Sequence, residues 1–308
     1  MEIALQFVLL ALGFVMLGKG ADWFVEGAAG IAMRFGIPQL VIGLTIVAMG
    51  TSAPEAAVSI AAAVKGNADI TIGNIVGSNI LNILVILGLA ASIVPIAVAR
   101  STVRIEIPFM IGVTALLFYQ GRDGSISLAD GGVLMVAFAA YMMYLYTMAM
   151  KSNVDSDLEE PGLPLGRYLL GAVGGLALII AGSNVTVGAA TSIATYAGLS
   201  ERFIGLTIVA LGTSLPELFT SVAAARRGNA DIAIGNIVGS NIFNILFVVG
   251  LSALIIDIPF ASAFNFDTYV ALGAAVLLWL CVLRTQRLQR WAGALMLVCY
   301  AAYLGYIL

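Results

Sequence analysis

The string "GNADITIGNIVGSNILNIL" occupies residues 66–84, and "GNADIAIGNIVGSNIFNIL" occupies residues 228–246, 162 positions later. Around these strings, residues 41–89 and 203–251 align without a gap and agree at 35 of 49 positions. Asparagine and serine are costly to bury in apolar surroundings unless their polar atoms find partners. A chain that keeps the same polar string twice therefore predicts one site built from two copies of a segment.

The composition places the chain in a lipid bilayer. Of its 308 residues, 61% are hydrophobic and only 10% are charged, whereas about a quarter of a typical soluble domain is charged. A helix needs roughly 20 apolar residues to cross the hydrocarbon core. Such segments predict an all-α polytopic membrane protein with ten transmembrane helices, at residues 3–35, 37–64, 70–98, 102–119, 128–150, 165–197, 200–226, 232–258, 267–283 and 288–307.

The number of spans between the copies predicts their relative orientation. Five predicted helices separate each residue from its copy, and an odd number of crossings reverses the direction of entry into the membrane. We therefore expect two inverted-topology five-helix repeats, residues 1–150 and 165–308, joined by an acidic cytoplasmic linker at residues 151–164. Inverted repeats of this kind are typical of secondary transporters, which place their site near the bilayer midplane between the repeats.

Basic residues predict how the chain is oriented. If the N-terminus lies outside, ten basic residues flank the inner side and three flank the outer side, in agreement with the positive-inside rule. We therefore expect a multi-pass protein of the cell membrane with both termini outside. No cleavable signal peptide is expected, because the first span has no basic leader. The ten inner residues are Arg34, Arg100, Arg104, Lys151, Arg167, Arg226, Arg227, Arg284, Arg287 and Arg290.

A proline and a glutamate stand together in each copy, in "GTSAPE" at residues 50–55 and "GTSLPE" at residues 212–217. Proline has no N–H and clashes with the carbonyl four residues back, so each motif predicts a broken helix near the midplane. Glu55 and Glu217 lie in otherwise apolar spans, where an unpaired ionised carboxylate costs several kcal/mol or more. Neither repeat's core contains a basic residue, so a bound cation is the simplest source of positive charge.

The polar residues around these glutamates recur every four positions, so that they share helix faces. Carboxylates, hydroxyls, amides and freed carbonyls suit Ca²⁺, which takes about 6–8 oxygen ligands. The absence of histidine argues against zinc, copper and nickel. Regrouped, the same oxygens suit Na⁺, which has nearly the same radius and half the charge. The stripes are Thr51, Glu55 and Ser59; Asn74, Ser78 and Asn82; and the copies Thr213, Glu217, Ser221, Asn236, Ser240 and Asn244.

Taken together, "GTSAPE…GNIVGSNILNI" and "GTSLPE…GNIVGSNIFNI" resemble the two α-repeats of the cation/calcium exchanger superfamily, specifically its prokaryotic sodium/calcium exchangers. The resemblance implies Na⁺/Ca²⁺ antiport by alternating access, with the first and sixth helices sliding across the remaining bundle. It implies Ca²⁺ and Na⁺ as substrates in a lipid bilayer, no cofactor, no nucleic-acid partner and a monomeric chain. The implied ion ligands are the carbonyls of Ala48 and Ala210, with Thr51, Ser52, Glu55, Ser78, Asn82, Thr213, Ser214, Glu217, Ser240 and Asn244.

Two features depart from the simplest pattern. Several relatives of this superfamily carry aspartate where this chain has Asn244, and the missing carboxylate argues against K⁺-dependent exchange. Lys19, Asp22 and Glu26 in the first helix have no charged counterparts in the sixth. For these three residues we expect a local ion pair with Lys19, the alternative being a role in ion access.

Other functions stay open at this point. The nearest are proton/calcium exchange and K⁺-dependent cation/calcium exchange, and a passive calcium channel is a further alternative. The proton-coupled branch tends to carry histidine, which this chain lacks. An intramembrane protease is disfavoured because no Ser–His pair is possible and the acidic residues lie in ion-ligand motifs. We therefore expect a transporter and not an enzyme.

Overall fold

The computed structural model describes residues 2–66, 68–151, 163–198 and 210–307. Apolar helices fill these ranges, so the prediction of an all-helical polytopic membrane fold is confirmed. The helices are α1 (Glu2–Phe35), α2 (Gln39–Thr51), α3 (Ala53–Val64), α4 (Ile70–Ile93), α5 (Thr102–Asp123), α6 (Leu128–Lys151), α7 (Leu165–Tyr196), α8 (Ala210–Thr213), α9 (Leu215–Arg226), α10 (Ala230–Ile255), α11 (Ala263–Leu283) and α12 (Arg290–Ile307).

Within the described ranges, eight helices are long and apolar enough to cross a membrane. A ninth span results if α2 and α3 are counted together, and these two helices meet at a bend of 51°. The seventh predicted span, 200–226, lies partly outside the described residues, because only α8 and α9 cover its second part. Most of the predicted linker at 151–164 lies outside them as well.

The two longest helices, α1 and α7, pack against each other in antiparallel directions. Gly13 faces Thr186 near one end of the pair, and Gly27 faces Ala172 near the other. At Gly20, an added Cβ would lie only 2.9 Å from the carbonyl oxygen of a glycine on α7. Because small residues let two helix backbones approach closely, this stripe sets the α1–α7 distance.

Four two-residue strands join loops from the two halves of the chain. They are β1 (Ile96–Ala97), β2 (Ser125–Ile126), β3 (Ile258–Pro259) and β4 (Arg287–Leu288). Strand β1 pairs with β4 and β2 pairs with β3, both antiparallel. We call these two pairings the loop clips. They sit at opposite ends of α5, which runs from β1 to β2.

The loop clips explain where two predicted helices were too long. Helix α4 was predicted to reach residue 98 but ends at Ile93, because Val94 is extended with φ −137° and ψ 124°. Helix α10 was predicted to reach residue 258 but ends at Ile255, and Ile256 is extended with φ −154° and ψ 146°. In both cases the apolar run continues into a strand that hydropathy does not separate from a helix.

We expect Gly27→Ala to lower thermal stability in detergent micelles. The new Cβ would overlap backbone atoms of Ala172 and Tyr168, and overpacking typically costs about 1–3 kcal/mol. Gly18→Ala on the same helix is the matched control, since nothing lies within 4 Å of its added Cβ. That control should be neutral or slightly stabilising, because alanine favours helix over glycine. Equal shifts for both variants would contradict the close approach of α1 and α7.

Candidate ion-binding site

Both proline-containing motifs form breaks between two helices, as predicted. Pro54 lies in the first turn of α3, and Pro216 lies in the first turn of α9. The junction residue Ser52 has φ −81° and ψ 5°, and Ser214 has φ −91° and ψ 5°. Because proline supplies no N–H, the carbonyl four residues earlier must find another donor. For Gly212 that donor is the hydroxyl of a serine on α7, at 2.7 Å.

The two glutamates are buried beside these breaks, and each is held by a serine from the other half of the chain. Glu55 and Glu217 are each only 1% exposed. The Ser52 hydroxyl donates to Glu217 Oε1 at 2.8 Å, and the Ser214 hydroxyl donates to Glu55 Oε1 at 3.1 Å. The two bonds relate residues that are copies of one another. Each carboxylate is therefore positioned by the opposite copy of its own motif.

Threonine hydroxyls extend this exchange of contacts. The hydroxyl of Thr213 interacts with Glu55, and that of Thr51 interacts with Glu217. Thr51 Oγ1 also donates to Asn236 Oδ1 at 3.0 Å. The Asn236 amide in turn donates to the Ser221 hydroxyl at 2.9 Å, which ties α10 to α9.

The first copy repeats this tie between its own helices. The Asn74 amide donates to the Ser59 hydroxyl at 2.9 Å and to the Glu55 carbonyl at 3.3 Å. These bonds fix α4 against α3. The outer members of the polar stripes therefore hold helices together, while the inner members surround the carboxylates.

Four asparagines cross-link α4 and α10. The Asn79 and Asn241 side chains each donate to the other's backbone carbonyl, at 3.2 and 3.1 Å. The Asn82 amide donates to Asn241 Oδ1 at 2.9 Å, and the Asn244 amide donates to Asn79 Oδ1 at 3.1 Å. A π-helical turn begins at Asn82 and another at Asn244. Such turns occur frequently at functional sites.

Among the predicted ligands, these contacts leave four buried side-chain oxygens without a hydrogen-bond partner in the described part of the chain. They are Oε2 of Glu55, Oε2 of Glu217, Oδ1 of Asn82 and Oδ1 of Asn244. Helix α9 packs against the π turn that begins at Asn82, and α3 packs against the one that begins at Asn244. A buried polar atom without a partner requires an explanation, and an ion-binding role is one of the few.

The site contains two carboxylates and, within the described residues, no basic side chain paired with them. Across the described ranges, the ion pairs within 4.0 Å involve Arg227 and no residue of the site. Over the same ranges no cluster of three or more His, Cys, Asp or Glu side chains is found. The candidate ligands are thus two carboxylates supplemented by hydroxyl, amide and carbonyl oxygens. Such a donor set is typical of a hard cation such as Ca²⁺.

The structure brings most of the predicted ligands together. The Ala48 carbonyl accepts from the Ser240 hydroxyl at 3.3 Å, which links α2 to α10. Ser78 on α4 is buried at 5% exposure. The backbone of Ala210 begins α8, while its side chain is outside the described residues.

Three residues of this network were neither among the predicted ligands nor in the predicted polar stripes: Asn79, Asn241 and Ser183. The first two follow the predicted serines directly in both copies of "GSN", so the repeat itself carried the signal. Ser183, which donates to the Gly212 carbonyl, has no polar counterpart in the other half, where Ala21 stands. No internal symmetry could therefore single it out.

The predicted ion pair with Lys19 is wrong. The Arg227 guanidinium lies 3.2 Å from Asp22 Oδ1 and 3.3 Å from Glu26 Oε2. Arg227 directly follows α9, and it reaches the acids of α1 because α9 packs along α1. The sequence places Asp22 about one turn and Glu26 about two turns from Lys19, but the tertiary contact brings a different cation to them.

A crevice of about 700 Å³ leads from the protein surface toward the buried carboxylates. Residues of α3, from Ala53 to Val58, form one wall, and residues of α7, from Ile180 to Gly188, form the other. Gly212 and Thr213 also line it, and the Thr213 hydroxyl interacts with Glu55. The site is therefore approached between α3 and α7.

Comparisons with known proteins agree with this geometry. The family model described as sodium/calcium exchanger protein matches residues 5–147 and 167–308. The chain is 40% identical to the putative antiporter CaxA of Alkalimonas amylolytica and 33% identical to the sodium/calcium exchanger MaX1 of Methanosarcina acetivorans, with 98% of each chain covered in both cases. A solved structure of the sodium-calcium exchanger NCX_Mj matches with a TM-score of 0.87 at 33% identity, covering 99% of this chain and 100% of that one. The chain belongs to the sodium/calcium exchanger family.

Proposed function

We propose that the chain is a secondary antiporter that exchanges Na⁺ for Ca²⁺ across the cell membrane by alternating access. One observation carries the proposal. Glu55 and Glu217 are buried side by side, each keeps one oxygen without a partner, and within the described ranges no basic side chain lies within 4.0 Å of either. Two carboxylates balance the charge of one Ca²⁺. Na⁺ ions can compete for the same oxygens, and such competition is the basis of exchange.

The ions bind, in this proposal, to the twelve residues that the resemblance implies. Ca²⁺ takes the two carboxylates together with nearby carbonyl and hydroxyl oxygens, within its usual 6–8 ligands. Na⁺ uses regrouped subsets of the same oxygens. The proposed ligands are Ala48, Thr51, Ser52, Glu55, Ser78, Asn82, Ala210, Thr213, Ser214, Glu217, Ser240 and Asn244.

We also propose that the chain consists of two inverted five-helix repeats with ten spans. The family model matches each half separately, and residues 162 apart exchange equivalent hydrogen bonds across the site. The antiparallel packing of α1 and α7, which occupy corresponding positions, supports inversion. The distribution of basic residues supports an outside location for both termini.

The crevice between α3 and α7 supports access from the outer side. Helix α3 ends near Lys65, which the positive-inside rule places outside. The corresponding crevice between α1 and α9 has a volume of about 570 Å³, and the described residues of its wall include none of the proposed ion ligands. The rings of Phe14 and Phe219 meet across it, with centroids 6.1 Å apart. We therefore assign the conformation as outward-facing.

The carboxylates provide the most direct test. Glu55→Gln and Glu217→Gln should each abolish Na⁺-driven uptake of radiolabelled Ca²⁺ into proteoliposomes. Breaking a buried ion pair by removing one member costs about 3–5 kcal/mol. Loss of one carboxylate should therefore weaken Ca²⁺ binding roughly a hundredfold or more.

Glu106→Gln is the matched control for this test. Glu106 is also buried in a membrane helix, but its carboxylate accepts from the Tyr144 hydroxyl, away from the site. This variant should retain exchange. Near wild-type flux in either site variant would refute the ligand assignment, and a flux that needs no Na⁺ gradient would indicate a channel.

The inverted topology predicts opposite labelling of corresponding positions. In a variant whose free cysteines, Cys281 and Cys299, are replaced by alanine, Lys65→Cys should react with an impermeant thiol reagent added outside. Arg226→Cys should react only when the reagent reaches the inside. A membrane-permeant reagent should label both and so controls for reactivity. Labelling of both cysteines from one side would rule out inverted repeats.

Position 244 tests the choice of coupling ion. We expect exchange by the parent protein to be indifferent to K⁺ and only weakly dependent on pH near neutrality. Asn244→Asp should make it strongly pH-dependent, with some K⁺ sensitivity. The substitution adds a third carboxylate and replaces the amide that donates to Asn79 Oδ1 with an acceptor, so a proton or cation must intervene. The measurement is Ca²⁺ uptake over a pH series with and without K⁺.

Asn82→Asp is the matched control for this experiment, since its amide makes the corresponding bond to Asn241 Oδ1. It separates a general effect of added charge from one specific to position 244. If the parent itself requires K⁺, K⁺-dependent exchange replaces our proposal. If its Ca²⁺ flux follows a proton gradient without Na⁺, proton/calcium exchange replaces it.

A further inference from the structure

The crevice between α1 and α9 is apolar at one end and charged at the other, as a phospholipid is. Its wall is apolar at one end, where Phe14 and Val15 of α1 face Phe219 and Val222 of α9. It is charged at the other end, where Lys19 and Asp22 of α1 face Arg226 and Arg227. Phe14 and Val15 are 46% and 59% exposed, so the apolar end is open to the bilayer.

The charged end carries an excess of positive charge. Asp22 and Glu26 both bind Arg227, which leaves Lys19 and Arg226 to be matched. Neither of these two has a carboxylate within 4.0 Å anywhere in the described part of the chain. Three cations against two carboxylates leave one net positive charge. A ligand with a single negative charge would neutralise this end.

In the outward-facing conformation that we assign, this crevice is closed toward the proposed ion site. Three basic side chains at its charged end outnumber the two carboxylates there, and the rings of Phe14 and Phe219 meet between that end and the buried glutamates. The crevice is thus unlike its counterpart between α3 and α7, in whose wall the described residues include none that is charged. Its chemistry fits an anion with an apolar body.

We propose that this crevice binds one anionic phospholipid of the cytoplasmic leaflet. Lys19 and Arg226 hold the headgroup phosphate, and an acyl chain lies along Phe14, Val15, Phe219 and Val222. Basic pockets between membrane helices on the cytoplasmic side are a known type of lipid site. Lysine and arginine reach the headgroup level by extending their long side chains. Arg226 also belongs to the inner set of basic residues, which places the headgroup on that side.

Native mass spectrometry tests this proposal without measuring transport. The purified full chain is titrated with phosphatidylglycerol or with phosphatidylcholine of the same acyl chains. We expect one phosphatidylglycerol to bind with clear preference. Lys19→Gln combined with Arg226→Gln should weaken its binding roughly 20–30-fold, at about fivefold for each basic residue removed. The charge-preserving pair Lys19→Arg and Arg226→Lys should retain the preference.

Lys65→Gln combined with Arg122→Gln is the matched control, because it removes two exposed basic residues far from the crevice wall. This control should bind phosphatidylglycerol as the parent does. Equal affinity of the parent for both lipids would overturn the proposal, whether or not the variants fold. So would sn-glycerol 3-phosphate competing as well as the whole lipid, since the apolar wall would then contribute nothing.

Discussion

The exchange of serine–glutamate hydrogen bonds between the two halves of the chain is the constraint on which the site depends. Ser52 donates to Glu217 and Ser214 donates to Glu55. Each half of the chain therefore depends on the other for the serine that positions its carboxylate. A carboxylate held only by its own helix could turn away from the centre. Held by the opposite copy, it can be positioned only when both breaks face each other. The fold must therefore bring the two motifs into register before either carboxylate is ordered.

The apolar bilayer explains why most polar groups around the ion site are paired with one another and only a few oxygens are left unpaired. In hydrocarbon, an unpaired backbone or amide group costs several kcal/mol, so each break in a helix must be compensated locally. Ser183 compensates the Gly212 carbonyl, and the Asn79 and Asn241 amides each donate to the other's backbone carbonyl. At the site, one oxygen each of Glu55, Glu217, Asn82 and Asn244 stays unpaired among the described residues, and our proposal places the transported ions there.

Much of this could be predicted from the sequence because the chain carries its site twice. The repeated prolines and glutamates located both breaks, and hydropathy located the helices. The partners of each residue could not be predicted, since Ser52 lies three residues from Glu55 and yet binds Glu217. Likewise, Arg227 binds the acids that sequence proximity assigned to Lys19. Such pairings depend on how distant segments pack, which local spacing does not contain.

The loop clips have a mechanical consequence. They fasten the two halves at opposite ends of α5, and they involve only the loops that flank α4, α5, α6, α10, α11 and α12. A force that tried to shear one half past the other would be resisted at both ends of the bundle. In the alternating access that we propose, these helices are the fixed part of the molecule. Helices α1 and α7 lie outside the clips and meet through the glycine stripe, so our proposal assigns the sliding movement to them.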